Sequence, residues 1–119
     1  MLSMLLALAA AAAQVLPGLY RSHQIEVGAA LLLKPDGHFQ YQLDYGAVSE
    51  AAEGTWVARD QIVLLTSTRM EGEWKAGEFL SEPLILDGDT LILRRYDTII
   101  RFVRTPDEPE EKEDQQDGD

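Results

Sequence analysis

The sequence predicts an all-β domain, an antiparallel meander of about eight short strands that closes into a small up-and-down barrel. Between residues 18 and 104, short runs rich in Val, Ile, Leu, Thr and aromatic residues alternate with Gly, Pro and Asp. No stretch of this region repeats apolar residues at helical spacing. Strands joined by tight turns pair antiparallel by default, and closure removes their exposed edges. A sandwich is the alternative architecture.

Turn signals divide the domain into short segments. The candidate strands are residues 19–22, 25–33, 38–45, 54–58, 61–67, 84–86, 90–96 and 98–104. Residues 46–53 are interpreted as a loop or a helical turn. Residues 68–83 are weakly patterned, with Trp74 and Phe79 as their anchors. Thr105 and Pro106 end the last strand, because proline has no N–H to donate.

The strand at residues 38–45 has the clearest pattern. Its apolar side chains are two residues apart, so they share one face: Phe39, Tyr41, Leu43 and Tyr45. The Pro35-Asp36-Gly37 turn that precedes the strand fixes the register. We therefore expect this face to be buried, close to Trp56, and the intervening polar residues to face water.

Both ends of the chain differ from the domain at residues 14–106. Residues 1–13 are apolar, too short to span a bilayer, and end in Ala11-Ala12-Ala13. They are typical of a secretory signal peptide, with an uncleaved anchor or a core helix as alternatives. Residues 107–119 contain eight acids and one lysine, so they account for −7 of the chain's net charge of −11. With no aliphatic or aromatic side chain, this tail is predicted to be disordered.

Composition restricts the compartment and the partners. The chain has no cysteine, so it forms no disulfide, no thiolate metal site and no lipoprotein anchor. An exported protein of this kind fits the bacterial periplasm or secretion. The acidic balance disfavours nucleic acid as a partner.

Three motifs carry a resemblance. Gly18-Leu19-Tyr20, the hairpin at residues 31–43 and Gly54-Thr55-Trp56 resemble the opening of small lipocalin-like barrels of the bacterial envelope. The chain is similar to uncharacterised secreted bacterial proteins, and distantly to the copper-stress lipoproteins of the NlpE kind. The resemblance covers residues 18–65 and implies a barrel. Because this chain lacks the cysteines of those lipoproteins, their metal and redox associations do not carry over.

No catalytic, cofactor or metal motif stands out. His23 and His38 are the only imidazoles, and a zinc site needs three or four ligands. A G-x-S-x-G elbow, a G-x-G-x-x-G loop and a P-loop are all missing from the sequence. We therefore expect no catalytic residue, no cofactor and no metal.

The aromatic residues offer the one candidate binding site. Phe39, Tyr41, Tyr45 and Trp56 can line a barrel interior that takes a small apolar molecule, although such an interior is equally well filled by the protein's own side chains. Four arginines cluster on the last hairpin, where solvated strand charge is the preferred interpretation: Arg94, Arg95, Arg101 and Arg104.

The function expected from the sequence is binding without catalysis. One hypothesis is a periplasmic binding or envelope accessory protein whose partner is a small apolar molecule or an envelope protein. The alternative is a protein-interaction or inhibitor module that acts through its loops and acidic tail. We expect the protein to contact a membrane only if the signal segment is not cleaved.

Overall fold

A computed structural model describes residues 14–73 and 75–106 of the chain. The predicted signal peptide (residues 1–13), the acidic tail (residues 107–119) and Trp74 lie outside the described residues. The described residues form eight strands: β1 (Gly18–Gln24), β2 (Val27–Leu33), β3 (His38–Tyr45), β4 (Val48–Arg59), β5 (Ile62–Gly72), β6 (Glu82–Asp87), β7 (Thr90–Arg95) and β8 (Thr98–Arg104). Among the described residues, no helix is long and apolar enough to cross a membrane.

The strands close into a barrel in chain order, and each is antiparallel to its neighbours. This confirms the predicted up-and-down meander and excludes the sandwich. The closing pair is short, because β1 and β8 match only Tyr20 with Arg104 and Arg21 with Val103. Beyond it the side-chain amide of Gln24 continues the ladder. Its Nε2 donates to the Ile99 carbonyl at 3.1 Å, and its Oε1 accepts from the Arg101 N–H at 2.7 Å.

The up-and-down course places alternate connections at the same end of the barrel. The turns at residues 25–26, 46–47 and 96–97 share one end with the connection at residues 73–81. We call this connection the β5–β6 loop and this end the loop end. The turns at residues 34–37, 60–61 and 88–89 form the opposite end.

The core lies inside the barrel and follows the period-two pattern. On β3, Phe39, Tyr41 and Leu43 are buried, and the residues between them are exposed. The predicted register is therefore confirmed. The preceding turn is closed by the Gly37 N–H, which donates to the Lys34 carbonyl at 3.1 Å. Gly37 has φ +92°, a backbone conformation that glycine adopts without strain.

Strands β4 and β5 are longer than the predicted strands at residues 54–58 and 61–67. Residues 46–53 form neither the predicted loop nor a helical turn, because a two-residue turn at Gly46-Ala47 leads directly into β4. The register between β4 and β5 shifts at Glu53/Gly54, where the backbones approach closely. A Cβ at Gly54 would lie 2.1 Å from the Thr66 carbonyl oxygen. Only glycine fits this bulge.

Candidate functional site

The four predicted binding residues are spread along the length of the barrel. Phe39 and Tyr41 are buried in the core. Tyr45 is half-buried at the loop end, with its ring centroid 6.4 Å from that of Tyr96. Trp56 is half-buried toward the opposite end, where its indole N–H donates to the Lys34 carbonyl at 2.9 Å. The structure thus places them in different layers of the barrel.

Phe79 fills the interior between the predicted residues. It is fully buried, although it belongs to the β5–β6 loop and not to a strand. Its ring centroid lies 4.9 Å from that of Tyr41 in an edge-on arrangement and 6.1 Å from that of Phe39. Hydrogen bonds to Ser67 hold it there, since the Ser67 N–H donates to the Phe79 carbonyl at 2.9 Å. The sequence marked Phe79 as an anchor of its segment but gave no sign of its place in the barrel.

Beside Phe79 lies a buried ion pair between Glu50 on β4 and Arg95 on β7. The Arg95 Nε donates to Glu50 Oε2 at 2.5 Å, and both side chains are almost fully enclosed. Two tyrosine hydroxyls also donate to this carboxylate, Tyr41 at 2.7 Å and Tyr96 at 2.6 Å. The Arg95 guanidinium sits 4.6 Å from the Phe79 ring centroid. Every oxygen of Glu50 therefore has a partner, which makes its burial tolerable.

The contacts within this polar network shift the pKa values of its members. Burial opposes ionisation of Glu50, but hydrogen bonds from Arg95, Tyr96 and Tyr41 outweigh it and lower the pKa of Glu50. Burial, reinforced by the hydrogen bond to Glu50, raises the pKa of both Tyr41 and Tyr96. At neutral pH the network consists of the Glu50 carboxylate and the donors that surround it. Its role is structural, because it holds the side chains of Tyr41, Arg95 and Tyr96 in fixed positions.

The network also tethers the β5–β6 loop. Arg95 Nη2 donates to the Gly77 carbonyl at 2.7 Å, and the Tyr96 hydroxyl lies 2.9 Å from the Glu73 carbonyl. The sequence does not mark Glu50 as a site residue, because its partner Arg95 lies 45 residues away along the chain. An inward acid inside an Ala-rich strand, Val48–Arg59, was the only available signal.

Toward the loop end, arginines line an open depression of about 810 Å³ beside β7 and β8. Arg94 and Arg101 are exposed in it, and the edge of Arg95 forms part of its wall. Glu82 and Asp97 are its two acids. The interpretation of four solvated arginines is wrong for Arg95, which is buried. Arg104 is half-buried, and its Nη2 donates to the Pro17 carbonyl at 2.7 Å. We call this feature the arginine depression.

Next to it lies a patch of outward-facing apolar side chains in two cross-strand rows. In one row Ile62 pairs with Ile85, and Ile85 pairs with Ile92. In the other, Val57 pairs with Leu64, and Leu64 with Pro83. Ile85 is 56% exposed, Val57 55% and Ile62 40%. We call these six residues the apolar patch. This patch was not among the predicted binding residues.

Neither histidine belongs to a group of acidic side chains that could hold a metal ion, among the described residues. The His38 ring contacts the exposed Asp36 of its own turn, with Nδ1 3.2 Å from Oδ1. Across residues 14–73 and 75–106, no three histidine or acidic side chains gather as they would around a metal ion.

Comparison with protein-family models, with curated proteins and with solved structures found no match to this chain.

Proposed function

We propose that this chain is a small exported bacterial protein that binds a partner at its outer surface and catalyses no reaction. The resemblance to envelope proteins implied a small barrel, and the structure is a closed barrel of eight strands. Export rests on the sequence of residues 1–13. The role in binding rests on how the described residues are distributed between the interior and the exterior.

The apolar patch is the observation that carries this proposal. Aliphatic residues exposed singly need no explanation, but neighbouring ones on adjacent strands mark contact sites. The inward residues of the same strands already fill the core, among them Val63, Leu84 and Leu91. The outward-facing side chains of Ile62 and Ile85 are therefore not part of the hydrophobic core, and the core does not need them. This favours the interaction module over an interior ligand site.

Site-specific photo-crosslinking tests the surface role. A photoreactive amino acid in place of Ile85 should give a discrete adduct in the producing cell. The same amino acid in place of Ile25 is the control, because Ile25 is 92% exposed but lies in the β1–β2 turn, away from the patch. The adduct should disappear in an Ile62→Ser background. Equal adducts from both positions, or none from position 85, would contradict the proposal.

Export is tested separately. The mature protein recovered from the periplasm should begin at or near Gln14, the residue that follows the Ala11-Ala12-Ala13 segment. Intact mass measurement of the fractionated protein gives the answer. A chain that starts at Met1 and is found in the cytoplasm would contradict this part of the proposal.

A second candidate function is binding of a small apolar molecule that exchanges with Phe79. Phe79 is the one member of the buried core, among the described residues, that a connection and not a strand contributes. Its withdrawal would open a space beside Phe39 and Tyr41, two of the predicted binding residues. Phe79→Ala should increase binding of an apolar dye, whereas Leu80→Ala, at a neighbouring position that is 73% exposed, should not. Equal dye binding by the two variants would contradict an exchangeable interior.

A further inference from the structure

We propose that the partner which docks on this protein is an extended acidic protein segment with an aliphatic centre. This inference rests on the proposed surface role and specifies the chemistry of the partner. Its basis is that the apolar patch and the arginine depression form one continuous surface.

Continuity follows from the strand register. The row of Ile62, Ile85 and Ile92 continues across the sheet to Arg101, which pairs with Ile92. At its other end, Ile62 pairs with Arg59. Ile62, Ile85, Ile92 and Arg101 face outward, because their neighbours along each strand are buried or lie in a turn. Arg59 is exposed and shares this face through its pairing with Ile62. An aliphatic row therefore runs between two arginines.

The two charged residues of this row, Arg59 and Arg101, are both cationic and favour an anionic partner, and the acids of the depression, Glu82 and Asp97, lie outside the row. The whole chain carries a net charge of −11, so exposed arginines at both ends of an apolar row run against its overall composition. A second copy of the chain would bring Arg59 or Arg101 against an arginine in either orientation of the row. Like charges across an interface disfavour the pairing of two copies. A partner with a carboxylate at each end can instead form an ion pair with each of the two arginines.

The spacing defines the length of the partner. Five neighbouring strands contribute to the row, from Arg59 on β4 to Arg101 on β8. Strands lie about 4.8 Å apart, so the row is about 19 Å long, which an extended chain covers with about six residues. The recognised segment therefore carries carboxylates near both ends of an aliphatic stretch of this length.

The shape of the surface favours a peptide over a membrane. A flat bilayer meets a convex barrel wall along a narrow contact, whereas an extended peptide can follow its curvature. The arginine depression beside Arg94 and Arg101 is concave, and a side chain fills such a space better than a lipid surface does. The chain's own residues 107–119 are acidic but have no aliphatic side chain. Residues 107–119 therefore complement the arginines but not the aliphatic row, and they would compete with the partner for the arginines.

Peptide binding to the full chain tests the proposal. The probe is a fluorescent peptide with glutamates at both ends of a Val/Ile centre. One control peptide has lysine for glutamate, and another has serine for the aliphatic residues. The acidic aliphatic peptide should bind, and both controls should bind at least about tenfold more weakly, which corresponds to about 1.4 kcal/mol. Its affinity should fall with added salt.

Variants assign the binding to the proposed surface. The pair Arg94→Gln and Arg101→Gln, and separately Ile85→Ser, should each lower the affinity by about tenfold. Arg69→Gln removes an exposed arginine elsewhere on the outer wall and should leave the affinity unchanged. Removal of residues 107–119 should raise the affinity. Because the substituted residues are exposed, the variants should fold like the wild type.

Three results would overturn the inference: equal binding of the acidic and lysine peptides, tighter association with anionic lipid vesicles than with the peptide, or dimerisation through the patch. A position-85 adduct with no preference for acidic peptides would overturn the partner class alone. Loss of that adduct would instead contradict the proposed surface role, so the two failures are distinguishable.

Discussion

Breaking the buried pair of Glu50 and Arg95 should destabilise the protein more than removing both partners together. Glu50→Gln or Arg95→Met leaves one buried charge without its counterion, which costs about 3–5 kcal/mol. Each variant also disturbs neighbours, since the Tyr41 hydroxyl donates to Glu50 and Arg95 donates to the Gly77 carbonyl. Because a small domain is stable by only about 5–15 kcal/mol, either variant should be marginal.

The double variant separates pairing from burial. Glu50→Gln combined with Arg95→Met removes both charges, so its cost should be smaller than the sum of the single costs by about 2 kcal/mol or more. Urea unfolding followed by tryptophan fluorescence gives the three free energies. Glu53→Gln, which removes an exposed carboxylate from the same strand, is the matched control and should leave the midpoint nearly unchanged. Additive single costs, or single costs below about 1 kcal/mol, would refute a coupled pair.

The same pair predicts how stability depends on pH. The pKa of Glu50 is lower in the folded protein than its ordinary value of 4.5. The folded state therefore favours the carboxylate, and this contribution is fully present above the ordinary value. It is lost as the pH falls through the lower folded value. In Glu50→Gln this part of the acid sensitivity should be missing, which unfolding midpoints across the acid range can measure.

Three further predictions concern the core, the bulge and the tail. Phe39→Ala should cost about 3–5 kcal/mol in the free energy of unfolding, because it leaves a cavity beside Phe79; a near-zero cost in urea would contradict a filled interior. Gly54→Ala should prevent a native fold, because its Cβ would lie 2.1 Å from the Thr66 carbonyl oxygen; a native melting curve would show that the bulge is adaptable. Deleting residues 107–119 should leave the melting temperature nearly unchanged, and a drop of many degrees would show that the tail docks.

The sequence predicted the barrel well where local signals are strong. Strict alternation on β3 places Phe39 and Tyr41 inside, and turns such as Pro35-Asp36-Gly37 divide the chain into strands. These features are local: period two sets the face, and turn chemistry sets the register. They required no knowledge of which distant strand would be the neighbour.

The predictions failed where long-range contacts decide the structure. Residues 46–53 contain Ala, Ser and Glu and have weak strand preference, so the sequence predicts a loop or a helical turn there. In the barrel, the partner of Glu50 comes from β7, and Phe79 enters from a connection. Neither contact leaves a periodic trace in the sequence, because each joins elements that are distant along the chain.

The apolar patch did leave a trace. Residues 62–65, 84–86 and 91–93 are continuous apolar runs and not alternating ones. Such runs are typical of strands that are covered on both faces. In a single-layer barrel only the inner face is covered by the chain itself, so three uninterrupted runs on neighbouring strands already indicate an outer apolar surface.

Arg95 connects the inner and outer features of this end of the barrel. Its guanidinium binds Glu50 inside, holds the Gly77 carbonyl of the β5–β6 loop and forms part of the wall of the arginine depression. A partner that fills the depression would therefore meet a wall already fixed by the buried network. A surface fixed before binding loses less conformational freedom on association than a mobile one. The charged pair, which contributes little net stability compared with an apolar replacement, thus has a physical role in shaping the wall of the arginine depression.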